Sequence, residues 1–322
     1  VTHRSLVALL TLVLTSAGCQ KTRAASGSTS GSAGSAGPAG PRAAASRAAP
    51  AAGWDQGAGP AHPVFRLTDN RLLAHLVRHG GLVVPAGEPG FTKYTHFGKP
   101  TLGWQVGVKE DDKKVAVATR PVFLHLPLTA AQADGAKLFL RASSKAAQKV
   151  RLKINGSVVS AQLQPGWQTA AVDVPAGVLR AGENSLEVTP GARLALHWLG
   201  VGKEAPEDDP GPLHDGQGGL LLPPNGGLAW YVLVTREGMA LSAQAEAKGP
   251  CQVRVRALPS DGVGLERAGG PGLVRLDLTS LKRRVVRLEV LAEGQGCQGV
   301  TLKEGALTLP GPAPVVKYDK RP

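Results

Sequence analysis

The chain has 322 residues and a formal net charge of +13, with 42 glycines, 25 prolines and aromatic residues at only 4%. Few aromatics among many turn formers exclude a bundle of long helices and favour short strands joined by turns. The charge does not point to nucleic acid, because the basic residues are scattered and, where they gather, alternate with apolar ones as on a strand; weak attraction to anionic lipid head groups or acidic polysaccharide is the better use of it.

The chain begins with a basic segment, Val1-Thr2-His3-Arg4. An uncharged apolar run, Leu6 to Leu14, follows, and Thr15-Ser16-Ala17-Gly18 then leads with small side chains into Cys19. This order makes a secretory signal over residues 1–18, since about ten apolar residues cannot span a bilayer core of ~30 Å. Ser16-Ala17-Gly18-Cys19 resembles the lipobox of bacterial lipoproteins, with Ser16 where that motif usually carries Leu. The resemblance implies a diacylglycerol thioether on Cys19 and a protein anchored in the bacterial cell envelope. Gln20 lacks the Asp associated with inner-membrane retention, so the expected address is the outer membrane, facing periplasm or exterior. An ordinary signal with a chance cysteine is the alternative. With Cys19 lipidated, Cys251 and Cys297 remain as an even pair in an oxidising compartment, and a disulfide between them is expected.

Residues 19–62 are rich in Ala, Gly, Ser and Pro, with almost nothing apolar to bury, and are expected to be a disordered tether with a reach of roughly 35 Å. Order is expected from Val64. Asp69 or Asn70 can cap a helix over Arg71–His79, with Leu72, Leu73, Leu76 and Val77 on one face and Gly80 ending it. His75 and His79 have a spacing that can hold a metal on a helix face, but no third ligand is nearby, and two solvent-side histidines are the expected outcome.

From Leu102 the period becomes two. Trp104, Val106 and Val108 lead through the turn Glu110–Lys113 to Val115 and Val117, a hairpin by pattern. Val122, Leu124 and Leu126 continue the alternation, as do Leu138 and Leu140. Val150, Leu152 and Ile154 oppose Arg151 and Lys153, and Asn155-Gly156 supplies the positive φ angles of a type I′ turn. The sequon Asn155-Gly156-Ser157 is explained by that turn. A Trp167–Val174 strand, a Gly182-Glu183-Asn184-Ser185-Leu186 turn and a closing strand with Leu194, Leu196 and Trp198 follow. These features resemble the galactose-binding-like jelly rolls of exported carbohydrate-active enzymes and imply such a β-sandwich over residues 63–203. The matching positions are turn and core residues, which report the fold and no ligand.

Residues 204–219 are acidic and Pro/Gly-rich, an expected linker. Alternation at Trp230–Val234, Leu241–Ala245, Cys251–Val255 and Val286–Val290 predicts a second β-sandwich over 220–309, so the fold class is all-β, two jelly-roll-like sandwiches in tandem. Residues 310–322 form a linker-like tail ending in Lys317-Tyr318-Asp319-Lys320-Arg321-Pro322. Signal, tether, sandwiches and this run together resemble the N-terminal, non-catalytic region of sulfatase-family lipoproteins of the alkaline phosphatase superfamily. In that family the catalytic domain follows such a run.

No residue set names a reaction. Cys251-Gln252-Val253-Arg254 and Cys297-Gln298-Gly299-Val300 miss the Cys/Ser-x-Pro/Ala-x-Arg motif of sulfatases. Gly27-Ser28-Thr29-Ser30-Gly31 lacks the nucleophilic serine of a Gly-x-Ser-x-Gly elbow. Asp111, Asp134 and Glu183, candidates for a carboxylate pair, fall at predicted turns. No metal or cofactor is expected. Trp104, Trp167, Trp198 and Trp230 lie in apolar strand patterns and are expected in the core. Three readings stay open: a non-catalytic accessory or positioning module for an envelope partner, a carbohydrate-binding lipoprotein that stacks an exposed aromatic on polysaccharide, and a truncated sulfatase.

Overall fold

The structure is a computed structural model that describes residues 51–55, 59–95, 103–206, 209 and 213–313. The expected signal, Cys19, the tether as far as residue 50 and the tail beyond 313 lie outside the described residues.

The first thirteen strands are β1 (Ala51–Ala52), β2 (Ala61–Arg66), β3 (His75–Arg78), β4 (Gly81–Pro85), β5 (Trp104–Glu110), β6 (Lys113–Ala118), β7 (Val122–Leu128), β8 (Lys137–Ser144), β9 (Gln148–Ile154), β10 (Ser157–Leu163), β11 (Gly166–Val172), β12 (Gly182–Thr189) and β13 (Leu194–Gly202). After them come β14 (Leu220–Leu222), β15 (Gly226–Leu233), β16 (Ala240–Ala247), β17 (Gln252–Pro259), β18 (Leu265–Gly269), β19 (Gly272–Asp277), β20 (Val285–Glu293) and β21 (Val300–Pro310). The fold is all-β. In the first sandwich β10-β9-β12-β7 faces a layer in which β13 pairs with β8 on one side and with β4 and β6 on the other, β8 carrying β11 and β6 carrying β5. In the second, β1-β18-β17-β20-β15-β3 faces β14-β21-β16-β19, with β2 on β21.

The two layers containing β13 and β15 are one sheet. Its continuity runs through the β3–β4 hairpin, because β3 pairs with β15 and β4 with β13. The second core accordingly reaches Val83, Phe139 and Trp198 of the first half.

The segment Arg71–His79 is a correction. It forms a single 3-10 turn, Arg71–Leu73, and then strand β3 rather than a helix. The apolar spacing fits either period here, and backbone pairing to β15 and β4 decides it, since all four β3 residues become buried. Asn70 donates its side-chain amide to the Arg66 carbonyl instead of capping. His79 (φ 46°) turns the hairpin with Gly80 (φ 74°), while His75 is buried, so the two histidines hold no common face.

The tether also ends earlier than its composition predicts. Ala51 and Ala52 pair with β18, and the Trp54 indole packs on the second core and donates to the Gly270 carbonyl. Asp55 accepts from the Asp277 amide and from Arg267 Nε. Likewise, β2 and β3, assigned by position to the first sandwich, pair with β21 and β15 from beyond residue 220. The strands are therefore not divided at residue 203.

Where alternation is strict the sequence is followed closely. Val150, Leu152 and Ile154 of β9 are fully buried, each worth roughly 1.5–3 kcal/mol relative to exposure. Asn155 (φ 47°) and Gly156 (φ 95°) close the β9–β10 hairpin. The Asn155 amide donates to the Val178 carbonyl and to Asn184 Oδ1, both at 2.8 Å, so the sequon nitrogen is already engaged. Asn184 is fully buried, donates to the Arg180 and Gly182 carbonyls and accepts from the Arg180 amide. Cys251 and Cys297 form the expected disulfide, tying the residue before β17 to the loop after β20 with Cα atoms 4.6 Å apart. A bridge over 46 residues stabilises by about 4 kcal/mol in the chain-entropy model.

The outer face of the second half of the shared sheet carries charge that is out of water. Arg254 contacts Glu266 and Glu293, Arg256 contacts Glu266 and Glu289, and Arg287 Nε donates to Glu289 at 2.7 Å. Three guanidiniums face three carboxylates, and Arg287 and Glu289 are only 3% and 4% exposed. His75 lies beside them, its Nδ1 2.9 Å from the Tyr94 hydroxyl and its ring edge-on to Tyr94 and Tyr231. Burial, followed by the charges of Lys93 and Arg287, lowers its pKa from 6.5 to about 3.

Two expectations follow from this packing. Replacing Asn184 with Leu strands the Asn155 amide and the Arg180 N–H, and urea unfolding should show a loss of about 2–3 kcal/mol; a loss within error of zero contradicts the network. For His75, the unfolded chain takes up the proton first, because the folded pKa is the lower one. Its contribution is complete above the unfolded value near 6.5 and is lost as pH falls toward 3. Between about pH 6 and pH 4 the wild type should lose up to ~1.4 kcal/mol per pH unit more than His75→Gln, and parallel slopes for the two proteins would refute the assignment.

Candidate functional site

The strand β11 carries Trp167, Thr169 and Ala171 on one face and Gln168, Ala170 and Val172 on the other. Ala170 and Val172 pack in the first core, which turns Trp167 to the outside of the sandwich. There its ring rests against Val108, Val115, Val117 and Ala195, a small apolar floor on the outer surface of the sheet. Trp167 is half-buried, whereas Trp104, Trp198 and Trp230 are 4% exposed or less and belong to the cores. The core expectation therefore holds for three of these tryptophans and is corrected for Trp167.

The β5–β6 hairpin fixes the ring. Its turn residues Asp111 (φ 47°) and Asp112 (φ 63°) adopt the left-handed conformation, and Asp111 Oδ2 accepts the Trp167 indole N–H at 3.0 Å. Glu110 of the same hairpin is held by Arg193 at 2.6 Å. The Lys113 ammonium stands 6.0 Å from the Trp167 ring centre. Arg141 reaches along the other side, with Nη1 3.4 Å from Thr169 Oγ1.

His197 completes the arrangement. The β8–β13 pairing shifts register between Leu196 and Trp198, and the residue between them turns outward beside Trp167, ring centres 6.2 Å apart and edge-on. Its Nδ1 is 2.9 Å from the Lys114 carbonyl oxygen. A carbonyl only accepts, so Nδ1 carries the proton, and in the neutral ring Nε2 is a bare acceptor. Nε2 is buried and has no hydrogen-bond partner among the described residues; the nearest carboxylate, Asp209, is 4.0 Å away. That contact is an ion pair whenever the ring is protonated. The site thus offers an aromatic ring over an apolar floor, with a cation and carboxylate groups beside it. That combination fits the C–H face and hydroxyls of a sugar ring.

The other predicted residues do not converge here or elsewhere. Asp134 ends the single-turn helix α1 (Ala130–Ala133), and Glu183 is engaged with His125 at 2.6 Å on the opposite sheet. Cys251 and Cys297 are bonded to each other, and Cys19 lies outside the described residues. Among the described residues no three His, Cys, Asp or Glu side chains gather as a metal site. His197, Lys113 and Arg141 have no sequence signature, although Val172 and Val174 marking the core side of β11 already imply an outward Trp167.

No family model matches the chain, and no curated protein matches it. Among solved structures it is similar to the tandem CBM51 modules of a family 98 glycoside hydrolase from Streptococcus pneumoniae, at 12% identity over 62% of this chain and 86% of that one, with a TM-score of 0.23. It is also similar to a β-glucuronidase from Ruminococcus gnavus, at 12% identity, a TM-score of 0.19 and coverage of 56% of this chain but only 34% of the enzyme. A Clostridium perfringens ZmpB structure, containing an M60 catalytic domain with two CBM51 domains, matches at 8% identity over 79% of this chain and 37% of that one, with a TM-score of 0.21. Overlaps this loose place the chain in no family.

Proposed function

We propose that the protein is a non-catalytic carbohydrate-binding module, displayed on the bacterial envelope, that holds a glycan against the Trp167 face. The observation that carries this reading is the half-buried Trp167, held by Asp111 over the apolar floor of Val108, Val115, Val117 and Ala195. The ring stacks on the apolar face of a sugar, and Lys113 supplies a donor to its hydroxyls. Such contacts recognise a ligand without activating a bond, and no reaction is assigned to the chain. The accessory role expected from the sequence takes this form: the module keeps a glycan close to the envelope or to a catalytic partner.

The test is affinity electrophoresis of the intact protein on a panel of neutral polysaccharides. Trp167→Ala should lose tenfold or more in affinity on whichever polymer retards the wild type, and Lys113→Gln several-fold, with melting temperatures within a few degrees. Retardation that survives both substitutions removes this face from the interaction, and no retardation on any polymer removes the function.

The display half of the proposal rests on the segment from Val1 to Cys19. In a bacterial host, labelled palmitate should be incorporated into the wild type and lost in Cys19→Ala. Equal labelling of the two, or none in either, argues for a secreted protein without the anchor.

A further inference from the structure

The opposite face of the first sandwich carries a second feature, which the Trp167 face does not use. On β9, Lys149, Arg151 and Lys153 project outward in succession, all exposed. Alternate residues of a strand lie about 6.7 Å apart, so the three charges form a straight line of roughly 13 Å. None has a carboxylate within salt-bridge distance among the described residues. By contrast, Lys114 contacts Glu88, Lys137 contacts Asp173, Arg193 contacts Glu110 and Lys203 contacts Asp134. Like charges aligned without partners repel, so the row contributes nothing to the fold that neutral residues would not.

Its neighbours are in register and polar, apart from the exposed Val158 of β10 opposite Lys153. Ser160 of β10 lies opposite Arg151, Gln162 opposite Lys149, and Thr189 of β12 flanks Arg151 on the other side. Glu187 is the acidic residue beside the row, opposite Lys153, and its Oε1 already accepts from the Thr189 hydroxyl at 3.3 Å. We propose that this stripe is a binding surface for a linear acidic polysaccharide, whose carboxylates or sulfates lie along β9 while Ser160, Gln162 and Thr189 bond the flanking hydroxyls. A line of cations edged by hydroxyl and amide groups matches an extended polyanion. A single row of cations suits a linear chain better than a planar lipid surface, since its flanks carry Ser160, Gln162 and Glu187 rather than further cations. The surface is independent of Trp167, which lies on the other sheet.

The experiment uses the full chain and alginate, a polyuronate, as probe in affinity electrophoresis. It compares the wild type with the Lys149→Gln/Arg151→Gln/Lys153→Gln triple variant and with a Lys109→Gln/Lys137→Gln/Lys203→Gln control of equal net charge, whose changed residues are surface ion-pair partners. The stripe variant should lose at least tenfold in affinity and show a shallower dependence of log affinity on log salt, the control should stay within about twofold, and Trp167→Ala should bind alginate as the wild type does. Should the triple variant unfold, Arg151→Gln alone should still cost about threefold. Equal losses in stripe and control variants would reduce the effect to net charge and overturn the proposal. So would absence of alginate binding, or stripe-dependent binding to phosphatidylcholine–phosphatidylglycerol vesicles without alginate binding, which would assign the surface to a membrane.

Discussion

Backbone pairing across the β3–β4 hairpin is the constraint on which the two halves depend. A strand edge left unpaired between β15 and β13 would expose N–H and C=O groups in the middle of a twelve-stranded sheet. The hairpin fills that gap on both sides, with Ala229 opposite His75 and Leu199 opposite Val84. Because the ladder is continuous, the side chains above and below it cannot segregate into two closed cores, and Trp198 of β13 packs with the residues of the second half. The seam is a packed, hydrogen-bonded element rather than a linker. Motion of one sandwich against the other would break the ladder itself.

The same sheet carries the ionic network on its outer face, where the energetic balance differs. Burying Arg287 and Glu289 removes hydration from both, and their mutual contact returns that cost only while every partner is present. Arg256 and Glu266 extend the alternation of sign to β18, so removing one member leaves an uncompensated charge rather than an absent bond. The network therefore specifies strand order and register more than it adds stability. A one-residue slip would place Arg against Leu or Val and drive the charges into the core.

Sequence pattern was sufficient where one physical rule acted alone. At β9 and β10, strict alternation and the Asn155-Gly156 turn gave both strands and their register, and the oxidising compartment implied by the N-terminal segment gave the disulfide. It failed where two rules competed. Leu72, Leu73, Leu76 and Val77 satisfy a helical period as well as a buried strand, and only distant partners in β15 and β4 decide between them. Ala51–His62 has the composition of a tether, yet Trp54 and Asp55 find contacts some two hundred residues away, which no local window can show. The candidate site was half legible. The alternation of Val172 and Val174 turns Trp167 outward on β11, against the burial that a large apolar residue type suggests. His197 is displayed through a register shift that belongs to the pairing of β8 with β13 and leaves no mark on the sequence of either strand alone.

The way Trp167 is held bears on what it is for. A half-buried indole added only for bulk would be free to rotate, yet here the Asp111 carboxylate takes its N–H and a hairpin turn with two positive-φ aspartates is folded back to reach it. Two non-glycine residues in that conformation carry a strain that a glycine pair would avoid. The arrangement gives a fixed ring plane, with its orientation settled before any ligand arrives, which reduces the ordering entropy that binding must overcome. His197 is fixed in the same manner, its Nδ1 committed to the Lys114 carbonyl and its ring edge-on to the indole. An immobilised stacking surface on the outer side of the sheet is what the proposed binding of a sugar's apolar face requires, without a deep pocket.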